Sequence, residues 1–205
     1  MDVNNFGILN SATWGNVGDW VMIIVTIITI ILLIKTFKEQ RRTNEIQASK
    51  NDLDLVLSLF ERLQLDLDSY LIVENNKDYF GTKALFKYTR GLERYRTSED
   101  AFAFFKPQLE TDNIFYLIKS IDIIDNLIHT SKIEAQKQVL LNNKLNLFFK
   151  VKLEFPLSLV VEKFLNVDDS LSIELRNFYN KYAKQKITKD NISAVKKYLQ
   201  ENYNE

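Results

Sequence analysis

The sequence predicts an all-α protein in which one N-terminal transmembrane helix continues into a multi-helix cytoplasmic domain. Three observations carry this reading. Residues 20–34, WVMIIVTIITIILLI, hold no charge. Five Gly and two Pro in 205 residues leave little of the turn punctuation that a β-rich fold needs. After residue 50, apolar side chains recur at three- and four-residue steps, the period of a half-buried helix.

The apolar run is short for a bilayer when taken alone. Extended from Val17 to Phe37 it gives 21 positions, about 31 Å at about 1.5 Å per residue, within the roughly 17 to 25 residues of a span. Asp19 and Lys35 then fall near the headgroups, and Trp14 and Trp20 suit one interface. Thr26 and Thr29 carry hydroxyls that can bond back within the helix. A cleaved signal peptide would place basic residues before the run and a small-residue cleavage site after it, and neither is present, so the helix is expected to be retained. Apolarity on every side argues against a soluble core helix, which would keep a polar stripe.

Flanking charge gives the span a direction. Before residue 35 the charged side chains are Asp2 and Asp19, whereas Lys35, Lys38, Arg41, Arg42 and Lys50 follow it against Glu39 and Glu45. Basic residues collect on the cytoplasmic side, which sets the N-terminus outside. The expected organisation is an N-terminal tail (1–16), a transmembrane helix (17–37), a juxtamembrane helical stalk (38–50) and a cytoplasmic α-helical domain (51–205). Trp20, Ile24, Ile28, Leu32, Lys35, Lys38, Arg41 and Arg42 mark the anchor and its flank, with the lipid bilayer as partner.

Within the domain, Leu53, Val56, Leu57, Phe60, Leu63, Leu67 and Leu71 define an amphipathic helix ending near Gly81, with Asp52, Asp54, Glu61, Asp66 and Asp68 on its wet side. Residues 82–96 read as a shorter helix interrupted at Gly91, and Thr97 to Asp100 as a capping signal. Pro107 opens an element whose apolar face is Leu109, Ile114, Leu117, Ile118, Ile121, Ile124, Leu127 and Ile128. A further helix carries Val139, Leu140, Leu145, Leu147 and Phe148, and the two are expected to pack as an antiparallel pair. A helix follows Pro156, Asp168 and Asp169 cap another, and a last helix is expected over 192–202.

Composition narrows the chemistry. Zero Cys removes disulfides, thiolate nucleophiles and cysteine metal sites. A formal net charge of zero gives no global attraction to nucleic acid. The one histidine, His129, lacks triad or zinc partners nearby in sequence and reads as a surface or cap residue. Asp122 and Asp125, three apart on one helix, could hold a divalent metal with Asp66, Asp68 or Glu61, as a nuclease would. They also alternate with apolar positions as a solvated face does, so no metal site is assigned.

Lys83, Lys87, Arg90, Arg94 and Arg96, opposed within their segment by Glu93 and interleaved with Phe86, Tyr88 and Tyr95, form a candidate basic contact patch. Residues 51–81 hold seven acidic side chains against two basic ones, so internal pairing or a lipid-facing role is favoured over nucleic acid. No phosphate-binding glycine loop, nucleophile elbow or dinucleotide fingerprint is present. The expectation is a protein without catalytic residues or cofactors.

Several segments have a familiar order: WGNVGDW before the apolar run and LLIKTFKEQ, then SLFERLQLDLDSYLIV, NIFYLIKSIDIIDNLI, VLLNNKLNLFFK and FPLSLVVEKFLNVDDSL. Together they resemble the phage abortive infection protein family of bacteria. The resemblance implies a membrane helix before a helical cytoplasmic domain and a role in phage defence; with no catalytic motif in the sequence, the expectation is a non-catalytic effector or sensor at the bacterial inner membrane. The chain departs from the family in lacking a glycine-rich start to the span, with VMIIVTII following Trp20. The alternatives from the residues themselves are a membrane-tethered adaptor for a partner protein or homo-oligomer, and a metal-dependent nuclease.

Overall fold

A computed structural model of the chain describes residues 17–74 and 76–188, together with 193, 194, 197 and 201. The expected tail, with Trp14, and most of the expected last helix lie outside these residues. The protein is mostly helical and divides into two compact units, Met1–Lys50 and Asn51–Glu205. Helix α1 (Val17–Asp68) supplies residues to both.

In the first unit, α1 carries the apolar run and the basic flank, and its described side chains up to Gln47 are exposed. No Gly or Pro interrupts it after Gly18, so nothing in the sequence breaks the backbone ladder.

In the second unit, α1 turns Val56, Phe60, Leu63 and Leu67 into the core at alternating four- and three-residue steps, each 4% exposed or less. The acidic side chains Asp54, Glu61 and Asp68 stay outside. The helix stops at Asp68, earlier than its sequence pattern suggests. Leu71–Glu74 (β1) and Lys77–Phe80 (β2) form an antiparallel hairpin, with Leu71 opposite Phe80 and Glu74 opposite Lys77. The helix expected to run to near Gly81 is corrected here, within a fold that stays mostly helical: LIVE and KDYF are β-branched and aromatic segments joined by two Asn, and Asn76 takes the positive φ of 59° that tight hairpins demand. Gly81 closes the hairpin at φ 58°, its N–H donating to Tyr70 O at 2.8 Å. A side chain there would be strained by the positive φ, although it would meet Asp68 only at ordinary contact distance.

Helix α2 (Gly81–Gly91) follows, ending in a 3₁₀ turn, Leu92–Arg94. Thr97 caps α3 (Ser98–Phe105) by accepting from Asp100 N at 3.1 Å. Helix α4 (Leu109–Thr130) buries Ile114, Leu117, Ile118, Ile121, Ile124 and Ile128, whereas Leu109, expected on this face, is exposed at the first turn. Helix α5 (Ala135–Phe148) packs on α4 through Leu141 and Leu145. Val139, Leu140 and Leu147, apolar residues of the same helix, face outward. The turn Phe149–Leu153 is π-helical and leads into α6 (Glu154–Lys163), which packs on α2 and on α7 (Ser170–Tyr182). Asp169 caps α7 by accepting from Leu171 N at 3.0 Å.

Aromatic rings lock the second half together. Phe149, fully buried, meets Phe178, Tyr179 and Tyr182 at centroid distances of 5.9, 6.0 and 5.5 Å. Phe164 meets Phe102 at 5.2 Å and Phe105 at 5.0 Å. Removing the Phe149 ring leaves a cavity that three aromatic neighbours cannot fill by small shifts. Phe149→Ala is expected to lower the unfolding free energy by about 3–5 kcal/mol, and Leu140→Ala on the wet side of α5 to change it by less than about 0.5 kcal/mol. Chemical denaturation followed by circular dichroism measures both.

Candidate functional site

Three features of the sequence bear on function, and the structure treats each differently. In the first, Trp20, Ile24, Ile28 and Leu32 are all about half exposed, and the other residues of the run are exposed as well. Each exposed Ile or Leu forgoes about 1.5–3 kcal/mol of burial in water. The polar groups of the run are already satisfied: Thr26 Oγ1 donates to Met22 O at 2.8 Å, Thr29 Oγ1 to Val25 O at 2.8 Å and Thr36 Oγ1 to Leu32 O at 2.9 Å. A helix with every backbone group paired internally and its hydroxyls folded back is what hydrocarbon accepts. By length and composition the helix Gly18–Asp68 can cross a membrane. Lys35, Lys38, Arg41 and Arg42 follow on its exposed surface, with Arg41 Nε 3.2 Å from Glu45.

In the second, Lys83, Lys87, Arg90 and Arg94 fall at i, i+4, i+7 and i+11 along α2 and its 3₁₀ turn, one face of a helix. Glu74, at the end of β1, joins two of them: Arg94 Nη2 donates to Oε1 at 2.6 Å and Lys87 Nζ reaches Oε2 at 2.9 Å. The hydrogen bond from Lys87, then that from Arg94, holds the Glu74 carboxyl below the ordinary glutamate range. Lys87 also lies 5.4 Å over the Tyr79 ring and Arg90 5.8 Å over Phe86. Lys83, Arg90 and Arg96 have no acidic partner within salt-bridge distance among the described residues.

The aromatic residues between these cations are occupied. Phe86 stacks on Phe155 at 5.3 Å and Tyr95 on Phe104 at 5.0 Å. Tyr88 bonds Thr111 at 3.0 Å, and burial, the largest cause, pushes its hydroxyl up to about 12.

In the third, Asp122 and Asp125 do share a face, but Lys181 of α7 fills the space between them. Its Nζ lies 2.9 Å from Asp122 Oδ1 and 2.6 Å from Asp125 Oδ2. Burial works against the ammonium, yet its hydrogen bonds to Asp125, Tyr182 and Asp122 outweigh that and raise its pKa above the ordinary lysine value. Lys119 pairs with Glu174 beside it. An ammonium already held by both carboxylates competes with any divalent ion, and Asp66, Asp68 and Glu61 do not join the pair. Among the described residues no group of three or more His, Asp or Glu side chains is placed to hold a metal. His129 Nδ1 is 2.7 Å from Asp125 O, one turn back along α4, and the ring is exposed at the surface.

No protein-family model, curated protein or solved structure matches the chain. The residues that organise the two charged clusters, Glu74 and Lys181, are 13 and 56 positions from their nearest partners in the chain, Lys87 and Asp125. The excess of acid over residues 51–81 gave a general sign of pairing without singling out Glu74.

Glu74 and Asp169 are both held below their ordinary values, Asp169 chiefly by Lys106 at 2.8 Å. Their contribution to stability is therefore present above the ordinary carboxylate range, near pH 4, and lost as pH falls through the depressed values. Melting temperatures of the wild type and of Glu74→Gln should differ at pH 6 and converge as the pH is lowered below about 4. A gap that persists unchanged to pH 2 would exclude the ion pair as its source.

Proposed function

We propose that the protein is a single-pass membrane protein of the bacterial inner membrane, with its N-terminus outside and residues 51–205 in the cytoplasm. It acts in antiphage defence as an abortive-infection effector or sensor, by binding rather than by catalysis. One observation carries the membrane part: an uninterrupted apolar helix, exposed on all sides, whose hydroxyls are bonded to its own backbone. The basic flank after residue 34 supports the orientation. The defence part rests on the resemblance in the order of segments between residues 14 and 171. Occupation of Asp122 and Asp125 by Lys181 favours binding over metal-dependent cleavage.

A single helix encloses no pore, so membrane damage would need several copies. With the Thr26 and Thr29 protons committed to Met22 O and Val25 O, helix contacts would rest on packing of Ile and Val side chains.

The adaptor reading has its own supporting observation. Leu140, Leu147 and Val151 are exposed at i, i+7 and i+11 on α5 and the π turn, an apolar row of the kind a protein partner covers.

The full chain is expected to stay with membranes after alkaline carbonate extraction, and a chain starting at Arg41 to be released. Protease added outside spheroplasts should leave residues 51–205 intact. Expression of the full chain should lower plaque counts on phage challenge, and the chain starting at Arg41 should lose that protection. Release of the full chain by carbonate would end the anchor reading. Absence of both protection and overexpression toxicity would end the defence reading.

A further inference from the structure

The positive face of α2 carries more charge than the fold uses. Lys87, Arg90 and Arg94 line a cleft of about 290 Å³ with Gly91 and Glu93. Glu74 bridges Lys87 and Arg94. The cleft and its bridge hold three cations against two carboxylates, with Glu110 lining the adjoining hollow on the Glu74 side, and Lys83 and Arg96 flank these residues in the chain.

Glu74 shows what this arrangement can hold. Its two oxygens are taken by two different cations, at 2.6 and 2.9 Å, so Lys87 and Arg94 already converge on one small oxyanion. A phosphoryl group offers similar oxygen spacing with more charge and a third oxygen, and Arg90 lines the adjoining cleft together with Lys87 and Arg94. Gly91 leaves the approach clear: a Cβ built on it meets nothing within 4 Å. Any longer side chain at this position would stand in the cleft.

We propose that Lys87, Arg90 and Arg94 form a receptor for a phosphoryl group, with Glu74 as the internal carboxylate that the ligand displaces or joins. All of these residues belong to the unit 51–205, so the site stands whether or not the first unit anchors the chain. The shared chemistry is a phosphate oxyanion, from a free phosphorylated small molecule or from a phospholipid headgroup. Base stacking has little to work with, because Phe86, Tyr88 and Tyr95 are engaged by Phe155, Phe105 and Phe104.

The test is calorimetric titration of the full chain in nonionic detergent. One arm uses inorganic pyrophosphate, another a water-soluble short-chain phosphatidylglycerol, and a third a single-stranded RNA. The wild type should bind one of the two small probes, and which one identifies the source of the phosphate. Glu74→Gln should strengthen that binding by about tenfold, and Arg90→Gln should weaken it by about tenfold, as expected for one charge-assisted bond. Gly91→Glu keeps a helical backbone and adds a carboxylate to the cleft, so it should abolish binding with an unchanged melting temperature. Should Glu74→Gln lower the melting temperature enough to obscure its titration, Gly91→Glu decides alone. The proposal is overturned if neither small probe binds the wild type or Glu74→Gln, if Gly91→Glu binds as the wild type does, or if RNA alone binds.

Discussion

The second unit depends on one constraint: the apolar stripe Val56, Phe60, Leu63 and Leu67 of α1 must be covered on the side facing the core. Short elements do the covering, and each is fixed by local chemistry before it packs. The positive φ at Gly81 reverses the chain so that α2 returns beside the end of α1, and the caps at Thr97 and Asp169 set where α3 and α7 begin. Two buried hydroxyls pair with carbonyls along the same path. Thr111 Oγ1 donates to Phe105 O at 2.6 Å and Ser172 Oγ to Phe164 O at 2.9 Å, so turns that must lie inside leave no unpaired carbonyl at those points.

Charge is arranged by the same economy. Rather than forming an acidic site, Asp122 and Asp125 tie α4 to α7 through Lys181, and Glu74 ties the hairpin to α2 through Lys87 and Arg94. The first cluster keeps one surplus negative charge and the second one surplus positive charge, so of the two only the second has the sign to receive an anion.

The helical periods were legible in the sequence because burial on α1 and α4 follows a strict three- and four-residue repeat. The caps at Thr97 and Asp169 were legible because the capping group lies within three residues of its partner. The hairpin was missed although LIV, NN and YF stood in order, because the leucine repeat ran through Leu71 and masked the change of period. On α5 the buried stripe was not legible for a different reason. VLL and LNLF offer apolar residues on adjacent faces, and only contact with α4 decides that Leu141 and Leu145 go inside. Among the candidate site residues, spacing put Lys83, Lys87, Arg90 and Arg94 on one face, but their counter-ion comes from another element and had no local signal.

The π turn at Phe149–Leu153 has a consequence for how this sequence can vary. A π turn holds one residue more than the α turn it replaces, and one residue corresponds to about 100° of rotation around a helix. It lets α5 and α6 follow one another while Leu145 before it and Leu157, Val160 and Val161 after it all point inward. Loss of a single residue between Phe149 and Leu153 would straighten the turn and carry the face of α6 away from α2. The segment therefore tolerates exchange of side chains better than change of length, and an insertion or deletion here would be felt across the whole second half of the core.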